Sequence, residues 1–471
     1  MSEPRRFRWA ATSARMLAGT LVSAGAVVAA VTAVTLPWPT HDREPLSVSA
    51  VPAPEASVLA CTGGLMAIGR DVTDVGAIGA ATRQAVTWAV AEGSPEPEET
   101  RLAPVSVTVG EGPIALFAAP QGRERTDIAA AGASTVDDED IAGFAASACR
   151  PPLLESWLVG GAATTGAADL LMLANPGVVP SIVQLTVYGA AGATIPAGGE
   201  RIVVAPGTQR VVPLAGLALG EESPVVRVTS SGAPVQASLQ SSLTRVLDPV
   251  GADQVGPIAE PATEQTIVGV RVPESAVDAR ADIPTLARLL SPSADGTATI
   301  TVMALGVRAP IRTLTDVPLV AGVPTEVGLD ELDAGLYTVD VQADVPVVAG
   351  LWQTTGSDAG DDFAWHASSP LVDAASLVAV PVGPAATLVV ANPGDEAVEV
   401  TVNAVTRSGE TTLSVPAGGT ASMSLRSRTV YEVDPGSAAV RAGISMSGDG
   451  ALAGYPVWPA DAAAPAIIVY P

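Results

Sequence analysis

Apolar and polar positions alternate with a period of two over much of this chain. Val183, Leu185 and Val187 fall on one side of a predicted strand, and Val398, Val400 and Val402 do likewise. That period puts successive side chains on opposite faces and marks half-buried antiparallel strands. Between the apolar runs stand 46 Gly and 40 Pro, a pattern of many short strands joined by turns.

The pattern repeats. Leu171–Gly189, Ala287–Gly306 and Leu388–Thr406 each show an apolar strand, a turn with Pro and an alternating strand. Their turns are Asn175-Pro176-Gly177, Ser291-Pro292-Ser293 and Asn392-Pro393-Gly394. Asn or Ser before Pro opens a turn, because Pro fixes φ and disfavours helix at the residue before it. An opening strand recurs at Ser156–Gly160, Thr266–Gly269 and Ser376–Ala379, with a counterpart at Val58–Leu65. A later small-residue strand aligns Gly143, Ser238, Gly350 and Gly454. Four units follow, at residues 56–155, 156–264, 265–373 and 374–471, each of immunoglobulin-like β-sandwich size. Ala77–Val90 has few helix breakers and reads as a short helix or another strand. Residues 92–100 read as an acidic exposed loop.

One segment breaks the alternation. Residues 1–15 are basic, and Met16–Leu36 then runs without a charge, long enough to span a bilayer as a helix. The arginines before it place the N-terminus in the cytoplasm and residues 37–471 outside. The expected fold is therefore all-β, with an N-terminal transmembrane helix over 16–36, a linker over 37–55 and about four tandem sandwiches. A cleaved signal peptide, with Val31-Thr32-Ala33 as its cleavage site, is the competing reading. Either way the bulk of the chain is exported. Two cysteines, Cys61 and Cys149, then suggest one disulfide joining the ends of the first unit.

Composition narrows the chemistry. The net charge is −25, and all 24 basic residues are arginine. Such a surface repels nucleic acid, and the absence of lysine excludes Schiff-base and lysine nucleophiles. The two histidines are His41, in the linker, and His366, in a polar segment with Trp365 between the third and fourth units. Trp365 and His366 are the candidate ligand contacts, Trp365 being expected to be exposed. Trp157, Trp352 and Trp458 sit on predicted strands and are expected in the core. The acidic groups Asp137–Asp140 and Asp358 with Asp361-Asp362 read as solvated loops. No catalytic, cofactor or metal motif stands out. A carboxylate pair in a pocket would mark the alternative of a hydrolase, with one pKa raised by burial.

Ala148–Gly161 (ACRPPLLESWLVGG) followed by Ala168–Gly177 (ADLLMLANPG) resembles an uncharacterised family of large exported proteins of high-GC Gram-positive bacteria, known only by a domain-of-unknown-function label. The resemblance implies a membrane-anchored, β-rich extracytoplasmic body with no established activity. With the missing catalytic motifs it points to a non-catalytic scaffold of the cell envelope, with a protein or polysaccharide as partner; the alternative is a surface module that binds a glycan or a protein, marked by an exposed aromatic strip or apolar patch on one unit. Ser291-Pro292-Ser293 departs from the Asn-Pro-Gly of the other units.

Overall fold

The computed structural model describes residues 5–35, 48–50, 54–71, 73–122, 124–278, 285–329, 332–406, 409–460 and 467–469. The chain forms two compact units, Met1–Pro52 with Pro465–Pro471, and Ala53–Ala464.

In the smaller unit a helix spans Arg5–Thr35. Its stretch Thr12–Ala33 is 22 residues long, with a mean hydropathy of 1.9 and no buried side chain. The Thr20 hydroxyl donates to the Met16 carbonyl at 2.7 Å, so this polar side chain satisfies itself within the helix. Among the described residues this is the one helix long and apolar enough to cross a membrane, as an anchor or a signal. Val48–Ala50 pairs antiparallel with Ile467–Val469. Most of the expected linker, including His41, lies outside the described residues.

The larger unit is all-β. Between Glu155 and Val255 the chain makes two sheets. Glu155–Val159 pairs with Val225–Gly232, which pairs with Ser181–Gly189. The second sheet runs Thr208–Pro213, Leu170–Asn175, Gln236–Arg245, Asp248–Val255. The same order returns after Ser376. Ser376–Val380, Thr429–Asp434 and Val398–Ala404 form one sheet. Thr420–Leu425, Ala385–Ala391, Val440–Gly448 and Ala451–Pro456 form the other. Between these copies two strands merge into one, Gly335–Thr354, which serves both sheets. Before Glu155 a reduced version pairs Ser57–Ala60 with Ile114–Ala118 and Glu98–Arg101. Its second sheet joins Ala85–Val90, Ile128–Asp137 and Ala142–Ala148.

The recurring turns carry the chain from one sheet to the other. Asn175 is fully buried; its Oδ1 accepts from the Gly177 amide at 3.0 Å and its Nδ2 donates to the Val179 and Val204 carbonyls. Asn392 repeats this with Gly394 and Glu396. Buried Ser291 manages one such bond, to the Ala294 carbonyl. The alternation at Val183, Leu185 and Val187 is an inward face, all three being buried. Cys61 and Cys149 form a disulfide. Beside it the Ala60 and Arg150 backbones exchange two hydrogen bonds, so the first region's ends are tied twice.

One open reading is decided and two expectations change. Ala77–Val90 is two strands, Ile78–Ala80 and Ala85–Val90; Val86, Thr87 and Val90 favour the extended backbone, and Ile128–Asp137 lies ready to pair. The acidic loop ends early, because Glu98–Arg101 joins a sheet. The later recurring strand was aligned one strand out. Gly143 and Gly454 lie on the last strand of their regions, whereas Ser238 and Gly350 lie on the strand before it.

Those last strands organise the body. Ala142–Ala148 packs on Asp248–Val255, that strand on Phe363–Ala367, that on Ala451–Pro456, and the fourth returns to the first. A Cβ at Gly143 would stand 2.5 Å from the Ala252 nitrogen, and one at Gly454 would stand 2.5 Å from His366 Nδ1. The backbones approach so closely only because no side chain intervenes. The cores follow the same cycle. Ala131, Phe144 and Ala146 share a cluster with Val380, Leu388 and Ile444. Trp157, Leu239 and Val255 share another with Val348, Trp365 and Ala367. A string of separate sandwiches would not mix cores in this way.

Candidate functional site

Trp365 and His366 do not sit in a polar loop. Both lie on the Phe363–Ala367 strand, 5% and 3% exposed. The segment Phe-Ala-Trp-His-Ala has apolar neighbours on both faces, and both faces are covered. Being adjacent on a strand, the two side chains point opposite ways, so they make no joint site. His366 faces Gly454, its Nε2 is buried without a hydrogen-bond partner, and burial pushes the imidazole down to about 4. Trp365 faces Gly160 of the second region, and the Arg288 guanidinium of its own region lies 4.6 Å from its ring centroid.

Of the acids read as solvated loops, Asp137–Asp140 and Asp358 are exposed as expected, whereas Asp362 is buried. Arg70 binds Asp138 and Asp140 through 2.7 and 2.6 Å contacts. Asp362 is fully buried and bonds to three other regions: its carboxylate accepts from the Phe144, Ala252 and Leu452 amides at 3.0, 3.1 and 3.1 Å. Asp253 accepts from the Trp365 amide at 2.7 Å. Burial raises both carboxyls, Asp253 to about 7 and Asp362 well above the usual range, against the pull of these amides. Together they form a clasp through all four regions.

Arg288 had no signal beyond being a charge inside an apolar strand, and it proves central. It is 3% exposed and donates to the Gly161 and Pro224 carbonyls at 2.8 and 2.9 Å and to Glu326 at 2.8 Å. Burial lowers its guanidinium pKa, while Glu326 opposes that. It pins the second region to the third.

Beside Arg288 opens a cavity of about 280 Å³. Leu286, Trp352 and Trp365 stand abreast on three adjoining strands at its wall. Trp352 is half-buried, whereas Trp157 is buried and Trp458 is half-buried under Arg150. Of the two indole rings at this wall, the one in contact with solvent is Trp352 and not Trp365. Phe363 packs against it, ring centroids 6.2 Å apart.

A second cavity, about 260 Å³, lies between the third and fourth regions and is polar. Glu264 and Asp340 line it on neighbouring strands, with Arg441 close by. Burial raises the Asp340 carboxyl, opposed by a 2.7 Å hydrogen bond from Thr266. Among the described residues no group of three or more His, Cys, Asp or Glu is arranged to hold a metal ion.

A family model described as a family of unknown function (DUF5719) matches residues 105–426, about two thirds of the chain and part of all four regions. No curated protein matches.

Proposed function

We propose a role for this chain, which belongs to the DUF5719 family of unknown function. It is a non-catalytic scaffold, tethered by one N-terminal helix, with its N-terminus in the cytoplasm and its bulk outside the cell. It holds or meets another component of the cell envelope, a protein or a polysaccharide. The observation that carries this reading is the clasp. Asp362, Asp253 and Arg288 are buried at the junctions and hydrogen-bonded to the backbone of other regions. Groups that an enzyme would aim at a substrate here hold one part of the fold to another. The disulfide supports an oxidising compartment.

Proximity crosslinking in intact cells, from a tag at the C-terminus, tests this. Capture of one envelope component is expected, and it should persist in Glu264→Gln and Asp340→Asn variants. Capture of abundant neighbours alone would overturn the reading.

The polar cavity favours a second reading, hydrolysis of a glycosidic bond. Asp340, with its raised pKa, would be the acid, and Glu264, more exposed, the second carboxyl. Hydrolysis of a chromogenic glycoside that vanishes in both variants would establish it in place of the scaffold.

A further inference from the structure

The cavity beside Arg288 has an apolar wall and a charged rim. Leu243, Leu286 and Trp352 are half-exposed along the wall, and Glu222, Arg245 and Glu326 are exposed at the mouth. The wall is a product of register. Leu286 pairs with Trp352 and Trp352 with Trp365, so three large side chains line up across the sheet. Arg288 covers part of the innermost ring and leaves Trp352 as the accessible one.

We infer that this cavity binds one pyranose ring of an uncharged polysaccharide. A pyranose carries C–H bonds on its face and hydroxyls around its edge. The weakly positive C–H hydrogens match the negative face of an indole. The hydroxyls match carboxylates that accept and a guanidinium that donates. About 280 Å³ lies just below the usual range for small-molecule sites of roughly 300–1,000 Å³, which suits one ring.

Other occupants fit less well. The net charge of −25 repels polyanions and anionic lipid headgroups. An acyl chain would cover Glu222 and Glu326 without offering them a partner. An organic cation stacked on Trp352 would stand among the Arg245 and Arg288 guanidinium groups that line the same cavity. The assignment rests on the scaffold reading only for where the sugar comes from.

The test is calorimetric titration of the full chain in lipid nanodiscs with neutral trisaccharides of glucose, galactose, mannose and N-acetylglucosamine. At least one should bind saturably, and Trp352→Ala should weaken it at least tenfold. Leu243→Glu, which sets a charge on the apolar wall, should do the same, and it covers the case in which Trp352→Ala fails to fold. Thermal unfolding of each variant reports whether the fold survives. Silence from all four sugars, or binding unchanged in a folded variant, overturns the inference. If crosslinking still captures an envelope partner, only the sugar site falls; if sugars bind but crosslinking captures nothing specific, only the scaffold reading falls.

Discussion

The Asp362 carboxylate accepts the Phe144 amide at 3.0 Å across a sequence separation of 218 residues. The same oxygen takes the Leu452 amide, and the other takes that of Ala252. Asn at this position offers one acceptor oxygen and sets its own NH2 against an amide donor. Asp362→Asn should therefore destabilise the body by about 2–4 kcal/mol, through unsatisfied buried donors. Urea unfolding with an unchanged slope would read this directly. A loss under about 0.5 kcal/mol, the range of ordinary surface substitutions, would mean the clasp does not hold the regions together.

Little of that clasp could be read from the sequence. Asp362 follows a run of Gly, Ser and Asp that looks solvated, and the strands that bury it lie far along the chain. Trp365 and His366 were misplaced for the same reason. What was legible is local or repeated. The opening strands, the Asn-Pro turns and the alternation at Val183–Val187 each carry their reason within a few residues. The disulfide was legible because both cysteines fall at the ends of a repeat. Arg288 gave only the oddity of a charge within Ala287-Arg288-Leu289-Leu290.

Reducing Cys61–Cys149 should loosen more than the first region. The bridge spans a separation of 88 residues, and in the chain-entropy model its loss costs about 4 kcal/mol. Arg150, next to it, donates to the Pro456 carbonyl and stacks on Trp458, in the last region. Cys61→Ala with Cys149→Ala should lower the unfolding temperature and also expose the amides of Ala451–Pro456 to hydrogen exchange. Exchange confined to residues before Glu155 would contradict this coupling.

Stability should fall as pH rises from 4 to 7. Asp127, Asp169 and Asp253 titrate near 6, 6 and 7 in the folded state, because burial disfavours their charge. The unfolded chain releases these protons near 4, so their contribution is complete below that pH and disappears as pH passes the folded values. His366 acts oppositely. Its folded value of about 4 makes its contribution complete above about 6.5 and lost as pH falls towards 4. Asp340 and Asp362, which burial also raises, act in the same sense as these three, so five carboxyls against one imidazole leave a net loss on raising the pH, at about 1.4 kcal/mol per pH unit per proton. Calorimetry should give a higher unfolding temperature at pH 5 than at pH 7.5; the reverse order would refute it.

Gly454→Ala should displace His366. The added Cβ would lie 2.5 Å from Nδ1, and the ring, only 3% exposed, must shift inside a packed interior. A loss of about 1–3 kcal/mol is expected, together with a shifted His366 proton resonance. Normal stability with an unmoved resonance would show that the third and fourth regions are less tightly apposed there.

The cyclic order of the last strands has a mechanical consequence. Ser57 and Ala460 line the same small cavity beside Cys149 and Arg150, so the body begins and finishes at one seam. Tension applied between its two ends would load that seam first, where the disulfide-braced first region meets the last. The junctions through Asp253 and Arg288 would stay outside the force path until the seam gave way. A string of sandwiches would instead carry the full force through every member in series. This body is built like a bracelet fastened at its clasp, and a circular permutant cut in an exposed loop of the second or third region should move the point of first rupture to the new opening.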